Sequence, residues 1–159
     1  MKKLVDIGGI YTNSFGEYEE ENYLFGRILV DDNNNFEGTL ENNFSNNTYF
    51  VFGSLDKKRL EFIIGNNETE AVPKKVTTHI EDDNSFDGTF YATDGFNEIA
   101  LGECRLIARP ADQTREVTSY ELSIVDNQIK IQKEELGETT SRLYNDFLSH
   151  REIRTGLKK

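Results

Sequence analysis

Short runs of alternating apolar and polar residues dominate this chain and limit the folds open to it. The runs are rich in aromatic and β-branched residues, and clusters of Asn, Asp and Gly interrupt them about every eight to twelve residues. Phe36, Gly38 and Leu40 show the period of two that places every second side chain on one face of a strand. The pattern predicts an all-β protein made of many short strands, mainly antiparallel.

Ten segments fit the strand pattern, near residues 3–13, 22–31, 35–42, 47–55, 59–65, 75–82, 86–92, 97–109, 118–125 and 128–135. Consecutive short strands joined by tight polar turns favour a meander, and we expect a closed barrel of about eight to ten strands. A β-sandwich is the alternative architecture. The last two segments are predicted to form a hairpin, because Asp126 and Asn127 tolerate the positive φ angles of a two-residue turn.

Two glycines favour a closed barrel over a flat sheet. The apolar phase changes at Gly102, since Ile99 occupies an odd position whereas Cys104 and Leu106 occupy even ones. A similar change of phase follows Gly53. A glycine at such a point is typical of a β-bulge or a barrel corner, where the strand bends.

One segment, from about Glu138 to Ile153, has helical spacing. Its apolar stripe consists of Leu143, Tyr144, Phe147 and Leu148. We therefore expect a single domain in which residues 1–137 form the barrel and residues 138–159 form one C-terminal α-helix and tail that pack on it.

The chain contains an internal repeat with an offset of fifty residues. Residues 30–40 and 80–90 share an acidic Asx-rich turn followed by Phe-x-Gly-Thr, within units of about 28–55 and 78–105. Equivalent hairpin turns explain the repeat, because Asp and Asn bond their own backbone in turns. The alternative, a duplicated calcium loop, lacks the glycine expected at its sixth position, where Phe36 stands when counting starts at Asp31.

In a meander, alternate loops meet at the same end of the sheet. This predicts an acidic rim formed by Asp31, Asp32, Asp82 and Asp83. The turn at Lys57 and Lys58 would share that end. Such a rim would suit a basic protein partner or a divalent cation.

The charge balance excludes some classes of partner. The chain has 29 acidic and 18 basic residues and a net charge of −11, which disfavours nucleic acid and anionic membrane surfaces. The C-terminal helix is mildly basic and would suit the acidic part of a second copy, giving a homodimer. We expect a cytoplasmic protein, because Asp6 interrupts any signal-like apolar run and Cys104 is the single cysteine.

No catalytic residue, cofactor or metal site is predicted. The chain contains neither a nucleotide-binding glycine motif nor enough Cys and His for a closed zinc site. Cys104 lies on the apolar phase and is expected to be buried, whereas His79, Glu81 and Asp83 are expected on a solvent face. An enzyme without a recognisable motif remains an alternative.

The meander layout with a terminal helix resembles the calycin superfamily of lipocalin-like barrels. Gly9-Ile10-Tyr11 in the first strand is similar to the lipocalin Gly-x-Trp, with Tyr in place of Trp. The resemblance implies a non-catalytic barrel that binds a small apolar molecule inside. The predicted lining residues are Phe36, Leu40, Phe50, Phe62, Phe86 and Phe90. In the alternative interpretation these side chains fill the interior, and the protein is an interaction module that uses its acidic rim.

Overall fold

The computed structural model describes residues 2–13, 20–42, 47–65, 72–81 and 85–157. These residues form eight strands: β1 (Lys3–Asn13), β2 (Glu20–Val30), β3 (Asn35–Asn42), β4 (Thr48–Leu55), β5 (Arg59–Ile64), β6 (Lys74–Ile80), β7 (Phe86–Thr93) and β8 (Glu98–Pro110). Each strand pairs antiparallel with the next, and β8 pairs with β1 to close the barrel. The predicted antiparallel meander barrel is confirmed, with eight strands, and the sandwich alternative is excluded.

The barrel interior is filled by apolar side chains from all eight strands. Ile28, Leu40, Leu60 and Leu106 have no exposed surface, and the rings of Phe36 and Phe62 lie 6.0 Å apart. Phe36 and Leu40 on β3, Leu60, Phe62 and Ile64 on β5, and Phe86 and Phe90 on β7 all join this inner core.

A second core lies outside the barrel, between the sheet and two helices. These helices are α1 (Ser119–Lys133) and α2 (Glu138–Leu157), and a short 3-10 helix at Ala111–Gln113 leads towards them. Phe50 and Phe52 point outward from β4 into this layer. The Phe52 ring lies 5.2 Å from that of Tyr144 and 5.3 Å from that of Phe147, so α2 docks by its predicted stripe.

The predicted strands at 118–125 and 128–135 are wrong, because these residues form α1. Thr118 caps the helix by accepting a hydrogen bond from the Glu121 amide, and Val125 and Ile129, four residues apart, are buried against the sheet. Strand β8 ends at Pro110, so the barrel strands end well before residue 137 and two helices follow them. The alternation of Tyr120, Leu122 and Ile124 is typical of a strand, but in α1 Leu122 packs against the outer core while Tyr120 and Ile124 lie together on the exposed side.

The two glycines at changes of phase behave differently. Phe90 pairs with Gly102 whereas Tyr91 pairs with Ala100, so β8 has a bulge next to Gly102 as predicted. Pairing around Gly53 is regular. A Cβ on Gly53 would lie 2.0 Å from the carbonyl oxygen of Glu61, so this glycine permits close approach of β5 rather than a bulge.

The two repeated segments form equivalent hairpins, β2–β3 and β6–β7. The amide of Asp31 donates to the carbonyl of Asn35 at 2.8 Å, and the amide of Glu81 donates to that of Ser85 at 2.9 Å. The Asp31 carboxylate also accepts from the amides of Asn33 and Asn35. This is the backbone bonding expected of an Asx turn.

A polar cluster joins the two helices to the barrel. Lys133 at the end of α1 contacts the carboxylate of Glu37 on β3 at 2.7 Å, and the Tyr144 hydroxyl donates to the same carboxylate. The ammonium also lies 5.0 Å from the ring centroid of Tyr144 and 5.6 Å from that of Phe50. Burial lowers the pKa of Lys133, but hydrogen bonds to Glu37 and Tyr144 outweigh it and hold the pKa above its ordinary value. Burial and the bond to Glu37 raise the pKa of Tyr144.

We expect Lys133→Met to lower the free energy of unfolding by about 1–2 kcal/mol at pH 7, because it leaves the half-buried Glu37 carboxylate without its ammonium. The pKa values of Lys133 and Tyr144 are both raised in the folded protein, so the two groups stabilise the fold fully below their ordinary pKa values of 10.5 and 10.0. This stabilisation is lost as the pH rises through the folded pKa values. Urea unfolding at pH 7 and at alkaline pH measures both effects. Lys130→Met on the exposed side of α1 is the control, and equal losses in the two variants would contradict the role of the cluster.

Candidate functional site

An apolar cavity opens at the end of the barrel where β1 finishes and β6 begins. We call it the mouth pocket. Its apolar walls include Leu24, Ile64, Val76, Phe90 and Leu106. The cavity volume is about 40 Å³, which is room for roughly three water molecules at 10–15 Å³ each. It is therefore far smaller than the roughly 300 Å³ of a site that encloses a drug-sized ligand.

Four polar side chains line the same cavity: Tyr11, Asn42, Tyr49 and Lys74. All four point into the barrel, because alternate residues of a strand share a face. Tyr11 lies four residues after Ile7 and six after Val5, and each of the other three lies two residues from a core residue of its own strand. Asn42 Nδ2 lies 2.5 Å from the Tyr11 hydroxyl. The Tyr11 ring meets Phe90 edge to face at 5.1 Å, so the wall of the pocket is fixed by packing as well as by hydrogen bonding.

Lys74 is an inward-facing lysine on a barrel strand. It shares its face of β6 with the buried residues Val76 and Thr78. The adjacent Lys75 points outward instead and pairs with Glu98 at 2.9 Å. Lys74 is not among the predicted site residues, although its spacing of two residues from Val76 indicates that the two side chains share a face.

Cys104 lies in the wall of the mouth pocket and is 6% exposed. Burial, with the negative charge of Asp87 adding to it, raises the pKa of the thiol to about 12. The sulfur is therefore a protonated thiol at neutral pH. Since the thiolate is the nucleophilic form, this cysteine is poorly suited to covalent chemistry.

Cys104 should react slowly with a thiol-specific reagent such as an aromatic disulfide at pH 8 and rapidly once urea unfolds the chain. Burial and the raised pKa both limit the thiolate available in the folded protein. The absorbance of the released thiolate gives both rates. Similar rates in the presence and absence of urea would show that the thiol is accessible in the folded barrel.

The predicted lining residues do not gather in one cavity. Phe90 lines the mouth pocket, and Phe86 lines a depression at the opposite end. Between them, Phe36, Leu40 and Phe62 belong to the packed inner core. Phe50 does not face the interior at all, because it lies beneath α1 and α2 on the outer face of β4. That position corrects the expectation that aromatic residues on this strand point into the barrel.

The opposite end of the barrel holds an open depression of about 1050 Å³. The ends of β2, β4 and β6 meet there, as the meander predicted. The described lining contains four cations, Lys3, Lys57, Lys58 and Arg109. In the same turns, Asp56 accepts backbone hydrogen bonds from Lys58 and Arg59, which lower its pKa. This end therefore presents both signs of charge.

Only half of the predicted acidic rim can be located. Asp31 bonds its own turn, and Asp32 lies beside a shallow depression lined also by Lys2 and Arg115. Asp82 and Asp83 lie outside the described residues. Among the described residues, no three His, Cys, Asp or Glu side chains lie close enough together to hold a metal ion.

His79 occupies the outer face of β6, as expected. Its Nε2 lies 2.7 Å from the Glu81 carboxylate, and both side chains are more than half exposed. Asp83, the third member of the predicted solvent-face group, lies outside the described residues. The pair is a surface contact remote from the mouth pocket.

Comparisons with known proteins add no assignment. No protein-family model, curated protein or solved structure matches this chain. Within the described part of the chain, neither helix combines the length and apolar character needed to cross a bilayer.

Proposed function

We propose that this protein is a non-catalytic β-barrel that binds a small amphipathic ligand at the mouth pocket. The apolar end of the ligand would enter between Val76 and Phe90, and an anionic head group would meet the Lys74 ammonium. The observation that supports this most strongly is an inward-facing cation at the opening of an apolar cavity in a protein whose net charge is −11.

The size of the cavity limits what can enter. About 40 Å³ admits a few heavy atoms, so the rest of the ligand would lie in the mouth. Tyr11, Asn42 and Tyr49 supply hydroxyl and amide groups there, as in binding sites where a few polar groups orient a mostly apolar ligand. The proposal therefore differs from a deep cup that encloses its ligand.

Binding without catalysis agrees with the chemistry of the described lining. The Cys104 thiol is protonated, and the described lining contains no histidine that could activate it. Within this proposal the barrel is lipocalin-like, a member of the calycin superfamily that uses one end of the barrel for a small ligand. We place the protein in the cytoplasm, where a lone buried thiol stays reduced.

Hexanoate and 1-hexanol test the proposal as matched anionic and neutral probes. We expect hexanoate to bind more tightly than 1-hexanol in calorimetric titrations, with amide shifts in two-dimensional NMR spectra centred on Val76, Phe90 and Cys104. A charge-assisted hydrogen bond contributes about 1.5–3 kcal/mol, so Lys74→Met should weaken hexanoate binding about tenfold or more and leave 1-hexanol unchanged.

Lys75→Met is the matched control, because it removes the same charge from the next residue on the outer face. It should leave hexanoate binding unchanged. Equal losses in the two variants would contradict a role for Lys74 and indicate a general effect of charge. An absence of shifts around the mouth pocket with either probe at millimolar concentration would overturn the proposal.

A further inference from the structure

The outer face of β2, β1 and β8 exposes apolar residues that no helix covers. Tyr23 and Phe25 on β2 are 51% and 48% exposed, and Ile107 on β8 is 43% exposed. The strand register places Phe25, Gly8 and Ile107 in one row across the three strands. The next row begins with Tyr23 and Ile10. We call this the three-strand face.

Gly8 makes a recess at the centre of the three-strand face. It shares the outward phase of β1 with Ile10, so its missing side chain leaves space on the surface. A Cβ at Gly8 would have its nearest neighbour, the carbonyl oxygen of Leu24, at 3.9 Å. Glycine is therefore not required there by the packing of the monomer. The recess lies directly beside the side chain of Ile10.

Charged rows border the apolar rows, and their signs differ. At one end, Arg27 and Arg109 lie on either side of Asp6. At the other end, Glu21 and Glu103 lie on either side of Thr12. One edge of the three-strand face is thus net basic and the other net acidic, and a two-fold rotation about an axis across the strands exchanges them.

We propose that the three-strand face binds a second copy of this chain, forming a symmetric dimer with antiparallel strands. The two-fold axis lies in the interface, perpendicular to the strands and level with Gly9. The rotation places Arg27 opposite Glu21 of the second copy and Arg109 opposite Glu103 of the second copy. A dimer of this kind is isologous, so every favourable contact occurs twice.

The apolar rows fit the same rotation. Ile10 of one copy faces the recess at Gly8 of the other, and Phe25 faces Tyr23 of the second copy. Ile107 faces the stem of Arg105 of the second copy. Rotation about an axis along the strands instead would place arginine against arginine and glutamate against glutamate. The charges therefore select the antiparallel arrangement.

The size of the face sets the expected affinity. Three strands at about 4.8 Å and four rows at about 7 Å give roughly 400 Å² per copy, about half of the 800 Å² typical of a stable interface. Tyr120 and Ile124 on α1 are also exposed and flank Glu121, which bonds Arg27 at 3.1 Å, so they extend the apolar surface. We expect a weak dimer that forms at micromolar concentrations or above.

Sedimentation of the full chain between 5 and 500 µM, about a hundredfold range, tests the proposal at about 0.15 M salt, where the Debye length of about 8 Å screens the net charge. The wild-type chain should pass from monomer towards dimer. Gly8→Lys should stay monomeric, because it fills the recess with a charge, and it should retain the melting temperature of the wild type. Thr77→Lys on the outer face of β6 is the matched control and should dimerise normally.

Charge reversal supplies a second test that does not alter a strand glycine. Arg109→Glu and Glu103→Arg should each weaken the dimer at least fivefold, and the double variant should restore it, because the two residues lie six positions apart on one strand and can meet only between copies. A wild-type chain that is monomeric at 500 µM, or a dimer that is insensitive to both Gly8→Lys and charge reversal, would overturn the proposal. Neither result would bear on ligand binding at the mouth pocket.

Discussion

Pairing of β1 with β8 is the constraint on which the rest of the molecule depends. Nine residue pairs, from Val5 with Pro110 to Asn13 with Gly102, close the sheet and give every strand one inner and one outer face. An eight-stranded barrel has an interior just wide enough for side chains to fill or for one small ligand to occupy. Here Phe36, Phe62 and their neighbours pack the inner core, and the mouth pocket at one end has a volume of only about 40 Å³.

Closure also explains the two helices. Phe50 and Phe52 alternate with the inward residue Val51 and so must point outward, where two large aromatic side chains would be exposed to water. Helices α1 and α2 cover them, and Lys133 and Tyr144 satisfy the Glu37 carboxylate at the edge of the same layer. On the outer face of β2, β1 and β8, the same layer buries Leu4 and Leu29, whereas Tyr23, Phe25 and Ile107 stay exposed. The outer face of β4 is therefore part of a structural core, whereas the exposed residues of β2, β1 and β8 form a surface that another molecule could contact.

The barrel could be predicted from the sequence because alternation is a local signal. Period alone grouped Phe36 with Leu40 on one face of β3, and both belong to the inner core. The face of Phe50 could not be predicted this way, because alternation identifies which residues share a face and leaves open which face is inside. Helix α1 was missed for a related reason: its Tyr120 and Ile124 remain exposed, so the apolar pattern does not follow the buried helical stripe. The role of Lys74 could not be predicted from the sequence, because its side chain lines a cavity that forms only when the barrel closes.

Part of the acidity of the chain also has a structural explanation, which limits the function that can be assigned to it. Asp31, Asp56 and Asp94 each begin a turn and accept hydrogen bonds from backbone amides two to four residues ahead. These bonds lower the pKa of Asp56 and Asp94, because the charged carboxylate is the better hydrogen-bond acceptor. The negative charges of Asp56 and Asp94 therefore serve their own turns. Carboxylate oxygens already bonded to their own turns are weaker candidates for holding a cation than a count of acidic residues suggests. The inward-facing Lys74 and the charged rows of the three-strand face are more specific features than the net charge, because each has a defined position in the structure.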